Sequence, residues 1–324
     1  MKINLIIGAG QLGSRHLQAL LRLKIQQQIY VLDSSEASLE VAKGRANEIN
    51  NPHKIYFITD WQDLPKEFDL VIVATGANAR SFIVKELLGN YVIKNLILEK
   101  VLFQDLSSYE EIRVLLLEKG TPTWVNHPRR MFSHFQDIKN VIAETNETAV
   151  FSLVGSNWGL ACNALHFIDL FAFISNSKVN TLNFDWIDHI IHESKRVGNI
   201  EFTGTIKGVF ENKNIFSISA LDGEIGDITL YISTNSNRWI VQEGRFPQIV
   251  HLSKESGFKA SLGSFENKYQ STLTTEIAES IFETESCDLP TYEEACASHI
   301  PFIMASLKKY IEITGIETTT CPIT

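Results

Sequence analysis

The aliphatic run from Ile3 to Ile7 ends in Gly8-Ala9-Gly10-Gln11-Leu12-Gly13. Glycine weakens strands and helices alike, so three glycines in six positions need a reason. Past Gly13 the apolar spacing turns helical, with Leu17, Leu20 and Leu21 on one face. A strand that ends in G-x-G-x-x-G and opens a helix leaves few folds available. Asp33 closes the next apolar run, Ile29 to Leu32, about twenty residues on, where a dinucleotide-binding fingerprint has its acidic residue.

The alternation continues. Further strands are predicted at Ile55–Ile58, Leu70–Ala74, Leu96–Glu99 and Thr123–Asn126. Helical patterns lie between them, and Ser108-Tyr109-Glu110-Glu111 resembles a capping box opening one of these helices. Strands alternating with helices imply a doubly wound parallel sheet covered on both faces. The expectation for residues 1–122 is an α/β Rossmann domain that binds a dinucleotide.

Within that fold each glycine has a task. Gly8 allows the tight turn, Gly10 lets a pyrophosphate approach the backbone, and Gly13 lets helix and strand pack closely. Gln11 and Leu12 share this turn and join the expected cofactor contacts, and the free N–H groups of the helix start face the phosphates. A carboxylate at Asp33 accepts ribose hydroxyls and repels a 2′-phosphate. Ser34 and Ser35 follow it, with no arginine, so NAD is favoured over NADP. The other reading of Asp33 is a helix N-cap.

Beyond about Ala149 the alternation stops. Strand patterns at 150–154, 181–189, 200–210, 215–220, 228–233, 239–242 and 249–252 surround a helix near 161–174, and two helices close the chain. Residues 123–324 are expected to form an α+β substrate-binding and oligomerisation domain with a large, mainly antiparallel sheet. The formal net charge of −9 argues against a nucleic-acid partner. Four scattered cysteines, with no C-x-x-C pair and no metal-ligand spacing, predict reduced thiols, a cytoplasmic protein and no metal. No apolar run is long enough to span a bilayer.

Ligands of a doubly wound sheet sit beyond the carboxyl ends of its strands. Thr75 and Asn78 follow the fourth strand and are candidate cofactor contacts; Asn78 also reads as a cap for the next helix. Glu99 and Lys100 follow the fifth. A lysine there can hydrogen-bond a substrate hydroxyl, or can simply be an exposed strand end. In Cys162-Asn163-Ala164-Leu165-His166-Phe167-Ile168-Asp169, Cys162, His166 and Asp169 share a helix face. His166 suits proton transfer near neutral pH, or a buried place in an apolar helix.

Taken in order, these motifs resemble the glucose–fructose oxidoreductase / inositol dehydrogenase (Gfo/Idh/MocA) family. Gly8 to Gly13 is similar to its opening, Thr75 to Asn78 to its T-x-x-N loop, and Glu99-Lys100 to its Glu-Lys-Pro motif. Asn126 to Arg130 resembles its N-x-R region, and Leu160 to Asp169 its D-x-x-x-H-x-x-D helix. The resemblance implies that Lys100 and His166 are catalytic. His166 would be the base for the hydroxyl proton, and Lys100 would hold the same oxygen. It also implies a substrate side built from Arg129, Arg130, Cys162, Asn163 and Asp169, the arginines suiting an anionic substituent. Three residues depart from the pattern: Val101 replaces a proline, Cys162 an aspartate and Arg80 a histidine. The implied activity is an NAD-dependent oxidoreductase moving hydride to or from a secondary alcohol of a sugar, such as a nucleotide-linked or surface-glycan precursor. The alternatives are a non-catalytic NAD and sugar binder, or an enzyme using NAD as a resident redox helper for elimination, hydrolysis or epimerisation. The resemblance further implies a homodimer or homotetramer through the C-terminal sheet.

Overall fold

The computed structural model describes all 324 residues, which cluster into two compact units. The first comprises residues 1–103, 107–128 and 268–293. It opens with β1 (Lys2–Ile7), α1 (Gly13–Leu20), β2 (Gln27–Leu32), α2 (Glu36–Asn47) and β3 (Lys54–Ile58). Then come β4 (Glu67–Phe68), β5 (Leu70–Val73), α3 (Ala77–Asn90), β6 (Val92–Ile93), β7 (Leu96–Leu98), α4 (Leu106–Lys119) and β8 (Thr123–Val125). Six strands form one parallel sheet in the order β3-β2-β1-β5-β7-β8, and β4 pairs with β6 alone.

The aliphatic run of β5 has no exposed residue, as befits a strand flanked on both sides and covered on both faces. The strand order reverses between β1 and β5, which makes their carboxyl ends the expected ligand crevice. The capping-box reading of Ser108 is corrected, since α4 already starts at Leu106 and Ser108 lies inside its first turn. The first unit also takes α7 (Gln270–Thr284) from far along the chain. Thr275 Oγ1 of α7 donates to the Ala19 carbonyl of α1 at 2.8 Å.

The second unit comprises residues 104–106, 129–267 and 294–324. Its elements are α5 (Ser133–Thr145), β9 (Val150–Ser156), α6 (Leu160–Ser175), β10 (Val179–Ile187), β11 (His192–Glu193) and β12 (Ile200–Glu201). They continue with β13 (Gly204–Phe210), β14 (Ile215–Leu221), β15 (Ile228–Ser233), β16 (Asn237–Glu243), β17 (Gln248–Ser253), β18 (Ala260–Ser264) and α8 (Tyr292–Thr314), whose first two residues belong to the first unit. Eight strands form a mixed sheet, β10-β13-β14-β9-β15-β16-β17-β18, in which only β14 and β9 run parallel.

One face of this sheet carries Phe151, Leu153, Phe216, Ile218, Leu230 and Ile232, all buried. Phe151 stacks on Phe171 of α6 at 4.9 Å, so the helix closes the core on that side. The single strand expected over 200–210 is two strands. The break falls at Phe202 and Thr203, and β13 resumes at Gly204, at φ +105°, where a Cβ would meet the Trp186 carbonyl at 2.3 Å.

Candidate functional site

The glycine-rich turn is a cradle that side chains would fill. A Cβ on Gly8 would lie 2.9 Å from the carbonyl carbon of Ala74, and Gly8 has φ +94°. A Cβ on Gly13 would lie 1.7 Å from the Gly8 carbonyl oxygen. Around Gly10 there is open space, as close approach of a ligand requires. At the start of α1 the Ser14 N–H donates to the Gly10 carbonyl at 3.0 Å, and those of Arg15 and His16 donate to the Leu12 carbonyl at 2.9 and 3.0 Å, so the helix dipole points at this cradle while these amides brace its turn. Gln11 is exposed here; its carbonyl and its Oε1 receive Arg45 from α2, which also reaches the Ser14 hydroxyl. Leu12 is the residue from which α1 starts.

Asp33 is not the cap of α2. That role belongs to Ser35, whose hydroxyl accepts from the Ser38 N–H. The Asp33 carboxylate instead bridges β2 to the cradle, accepting from the Ala9 N–H at 2.7 Å and the Ser35 N–H at 2.8 Å. A carboxylate offers about four lone-pair sites, so about two are left for a diol. Ser34 beside it is exposed.

After β5, Thr75 Oγ1 is buried without a hydrogen-bond partner. Native proteins seldom leave such an atom orphaned, so it marks a place for a ligand. Asn78 does not cap α3. Gly76 holds the cap position, and the Asn78 Oδ1 lies where a Gly76 Cβ would come within 2.8 Å.

Glu99 and Lys100 leave the end of β7 in opposite senses. Glu99 is buried and accepts from Asn126 Nδ2 at 2.6 Å, with His16 Nε2 of α1 at 2.9 Å. Thr274 Oγ1 of α7 sits 2.8 Å from His16 Nδ1, and Gln270 donates to the same hydroxyl. Burial alone would raise the Glu99 carboxyl. The His16 contact, the Asn126 amide and the charge of Arg80 outweigh it and hold Glu99 below the usual carboxylate range. Lys100 stays half-exposed, and the Lys100–Val101 peptide is cis. Arg80, 1% exposed, donates to the carbonyls of Thr75, Val101 and Leu102, tying together the loops after β5 and β7.

In the second unit, α6 carries the candidate chemistry. It starts from Gly159 at φ +82°, and its first N–H groups are capped by Glu201 of β12, which accepts from Ala161 at 2.7 Å and Cys162 at 3.3 Å. Cys162 Sγ lies 3.7 Å from Ser194 Oγ. His166 is half-exposed one turn further on. Asp169 is buried and grips Arg130 through two hydrogen bonds, at 2.7 and 2.8 Å. Burial would lower Arg130, but the Asp169 charge prevails and the guanidinium stays ionised. Arg129 is likewise held by Glu243 of β16 at 2.7 Å, and its guanidinium stacks on the Phe167 ring at 4.2 Å. Asn163 donates to the Trp158 carbonyl at 2.9 Å.

The sequence pattern marks Arg80 only as a departure from the family and gives no role to His16, Glu201 or Glu243; all four position their neighbours. His16 alone carried a legible signal: it lies one turn into the helix that the glycines open. The other three act across long separations in the chain, which no local spacing reveals.

Among the residues that bear on a cofactor, the open cradle, the acceptor capacity of Asp33 and the orphaned Thr75 hydroxyl all fit a dinucleotide. Residues 3–127 match the model of an oxidoreductase family with an NAD-binding Rossmann fold, Gfo/Idh/MocA. No curated protein matches the chain by sequence. Solved structures resemble it at low identity. UDP-N-acetylglucosamine 3-dehydrogenase GnnA from Acidithiobacillus ferrooxidans is 13% identical, with 94% of this chain and 95% of that one covered at a TM-score of 0.67. An oxidoreductase from Agrobacterium radiobacter in complex with NAD+, L-tartaric acid and magnesium is 12% identical, with coverages of 93% and 94% and a TM-score of 0.70. A super-repressor mutant of Gal80p from Saccharomyces cerevisiae is 15% identical, with coverages of 96% and 97% and a TM-score of 0.72. Residues 3–127 are thus similar to the NAD-binding Rossmann domain of the Gfo/Idh/MocA oxidoreductase family.

Proposed function

We propose that the protein is an NAD-dependent oxidoreductase acting on a secondary alcohol of a sugar. The observation that carries this reading is the cradle of Gly8, Gly10 and Gly13 with Asp33 at its rim and a buried, unpartnered Thr75 hydroxyl beside it. Bound there, NAD supplies the hydride acceptor or donor. Gly10 and the start of α1 would hold its pyrophosphate, Asp33 would orient the adenosine ribose, and Ser34 and Ser35, which follow Asp33 with no arginine, disfavour a 2′-phosphate. His166 takes the hydroxyl proton as the alcohol is oxidised and returns it in the reverse direction. Lys100 donates a hydrogen bond to the same oxygen. Arg129 and Arg130 each have a carboxylate partner, which weakens the case for an anionic substituent on the substrate.

The test is turnover. Purified protein with NAD and a panel of sugars, or NADH and keto-sugars, is followed by nicotinamide absorbance. His166→Gln and Lys100→Met are each expected to cut kcat by at least about a hundredfold with NADH affinity retained. No turnover with any sugar in either direction would end this reading.

One observation favours a second reading, an NAD and sugar binder without chemistry. Cys162 stands where the family has an aspartate, and a thiol does not raise the basicity of His166 as a carboxylate does. Sugar binding that persists in His166→Gln, with no turnover in either protein, would support it.

We also propose a cytoplasmic homodimer through the mixed sheet. Val150, Val154, Ile215, Leu221 and Tyr231 share one face by strand register and are all exposed. Sedimentation of the wild type and of Ile215→Glu tests it, the variant being expected to run as a monomer.

A further inference from the structure

The cleft on the flank of α6 has a composition that neither hydride nor proton transfer uses. It encloses about 350 Å³ and is lined by Trp158, Asn163, Phe167, Arg129, Asp227 and Glu243, all of the second unit. Trp158 is its platform. The indole N–H is fixed on the Ser219 carbonyl at 2.9 Å, and the ring meets Phe167 edge to face at 5.6 Å, so it cannot turn freely. A rigid aromatic face of negative quadrupole suits the weakly positive C–H face of a sugar ring.

The polar groups around it are also held. Glu243 takes the Nε–Nη2 edge of Arg129, which leaves the Nη1 amino group as a donor for a ligand. Asp227 is exposed, and its carboxylate packs against Gly244 so closely that a Cβ there would lie 2.5 Å from it. Gly244 also has φ +146°, so the wall at this point is bare backbone. The lining carries one guanidinium and two carboxylates. The balance is one negative charge, which repels phosphates and uronates and leaves both donors and acceptors for hydroxyl groups.

The cleft adjoins the candidate chemistry without being the same surface. On a helix advancing about 100° per residue, Asn163 lies about 60° round from His166, on the side toward Phe167. A ligand touching His166 can therefore extend into the cleft.

We propose that this cleft is a carbohydrate subsite that takes a neutral pyranose ring, the ring next to the one that reacts at His166. The assignment rests on the sugar oxidoreductase reading above and narrows its substrate to one with a second, uncharged ring.

Binding without turnover tests the subsite separately from the reaction. The full chain, with and without NADH, is titrated calorimetrically with the neutral sugars lactose, cellobiose and N-acetylglucosamine, and with glucuronate and glucose 6-phosphate. At least one neutral disaccharide is expected to bind, and to bind about tenfold or more weakly to Trp158→Ala and to Asp227→Asn. Trp158→Phe keeps a ring and is expected to retain part of the affinity, which guards against a misfolded alanine variant. Tighter binding of either anionic sugar, no neutral sugar binding, or neutral binding indifferent to both variants would each overturn the assignment. Disaccharide binding that depends on Trp158 with no oxidation of any sugar would uphold the subsite and remove the reaction.

Discussion

Asp169→Asn separates a structural role for the Arg130–Asp169 pair from a role in substrate binding. The Arg130 and Asp169 side chains are 9% and 2% exposed, so solvent screens their pairing little. The carboxylate receives two charge-assisted hydrogen bonds in fork geometry. Removing one partner of such a pair costs about 3–5 kcal/mol, because the other charge is left buried. Glu294, 3.6 Å from Arg130 and half-exposed, compensates in part and puts the expectation near the low end, about 3 kcal/mol. For a unit of 150–250 residues each kcal/mol moves the melting point by about 2–4 °C, so a drop of roughly 6–12 °C is expected. The assays are thermal and urea unfolding at neutral pH, each read by fluorescence and far-ultraviolet dichroism together. The double change Arg130→Met with Asp169→Leu removes both charges and is expected to recover most of the loss. A loss below about 1 kcal/mol for Asp169→Asn, together with a raised KM, would refute the structural role and return Asp169 to the substrate.

Gly13→Ala places a Cβ against the Gly8 carbonyl; displacement of the turn is expected to cost about 1–3 kcal/mol and to abolish measurable NADH binding by fluorescence titration. Arg80→Met removes the donors to Thr75, Val101 and Leu102. NADH affinity is expected to fall about tenfold, and Arg80→Lys not to restore it, since a single ammonium cannot replace the spread of guanidinium donors. His134 lies between Phe135 and Phe265, at 4.2 and 4.1 Å, and burial lowers its pKa from 6.5 to about 4. The unfolded chain then binds the proton more tightly than the folded one. Stability from the neutral ring is complete above pH 6.5 and is lost as pH falls toward about 4. His134→Phe is therefore expected to lose less stability than the wild type over that window in urea titrations.

How far the sequence reached depended on the range of the interactions. The parallel sheet was legible because each buried strand is a continuous apolar run and each helix repeats locally. The glycines and Asp33 were legible because the geometry they serve is set by one turn and one strand. Helix α5 escaped notice: Phe135, Ile138 and Ile142 do fall at helical spacing, but no cap announces its start and Phe132 holds the cap position without a side-chain bond. Strand β18 has no buried residue and so no pattern to read. The addition of α7 to the first unit rests on contacts such as His16 with Thr274, 258 positions apart, and such pairings leave no local trace. The same holds for Glu201 at the start of α6 and Glu243 on Arg129.

Equilibrium titration of the purified chain with NADH and with NADPH bears most directly on what the glycine cradle and Asp33 are for. NADH is expected to bind at least about tenfold more tightly than NADPH, and Asp33→Ala to erase that preference by weakening NADH. Tighter binding of NADPH, or a preference unchanged in Asp33→Ala, would contradict it.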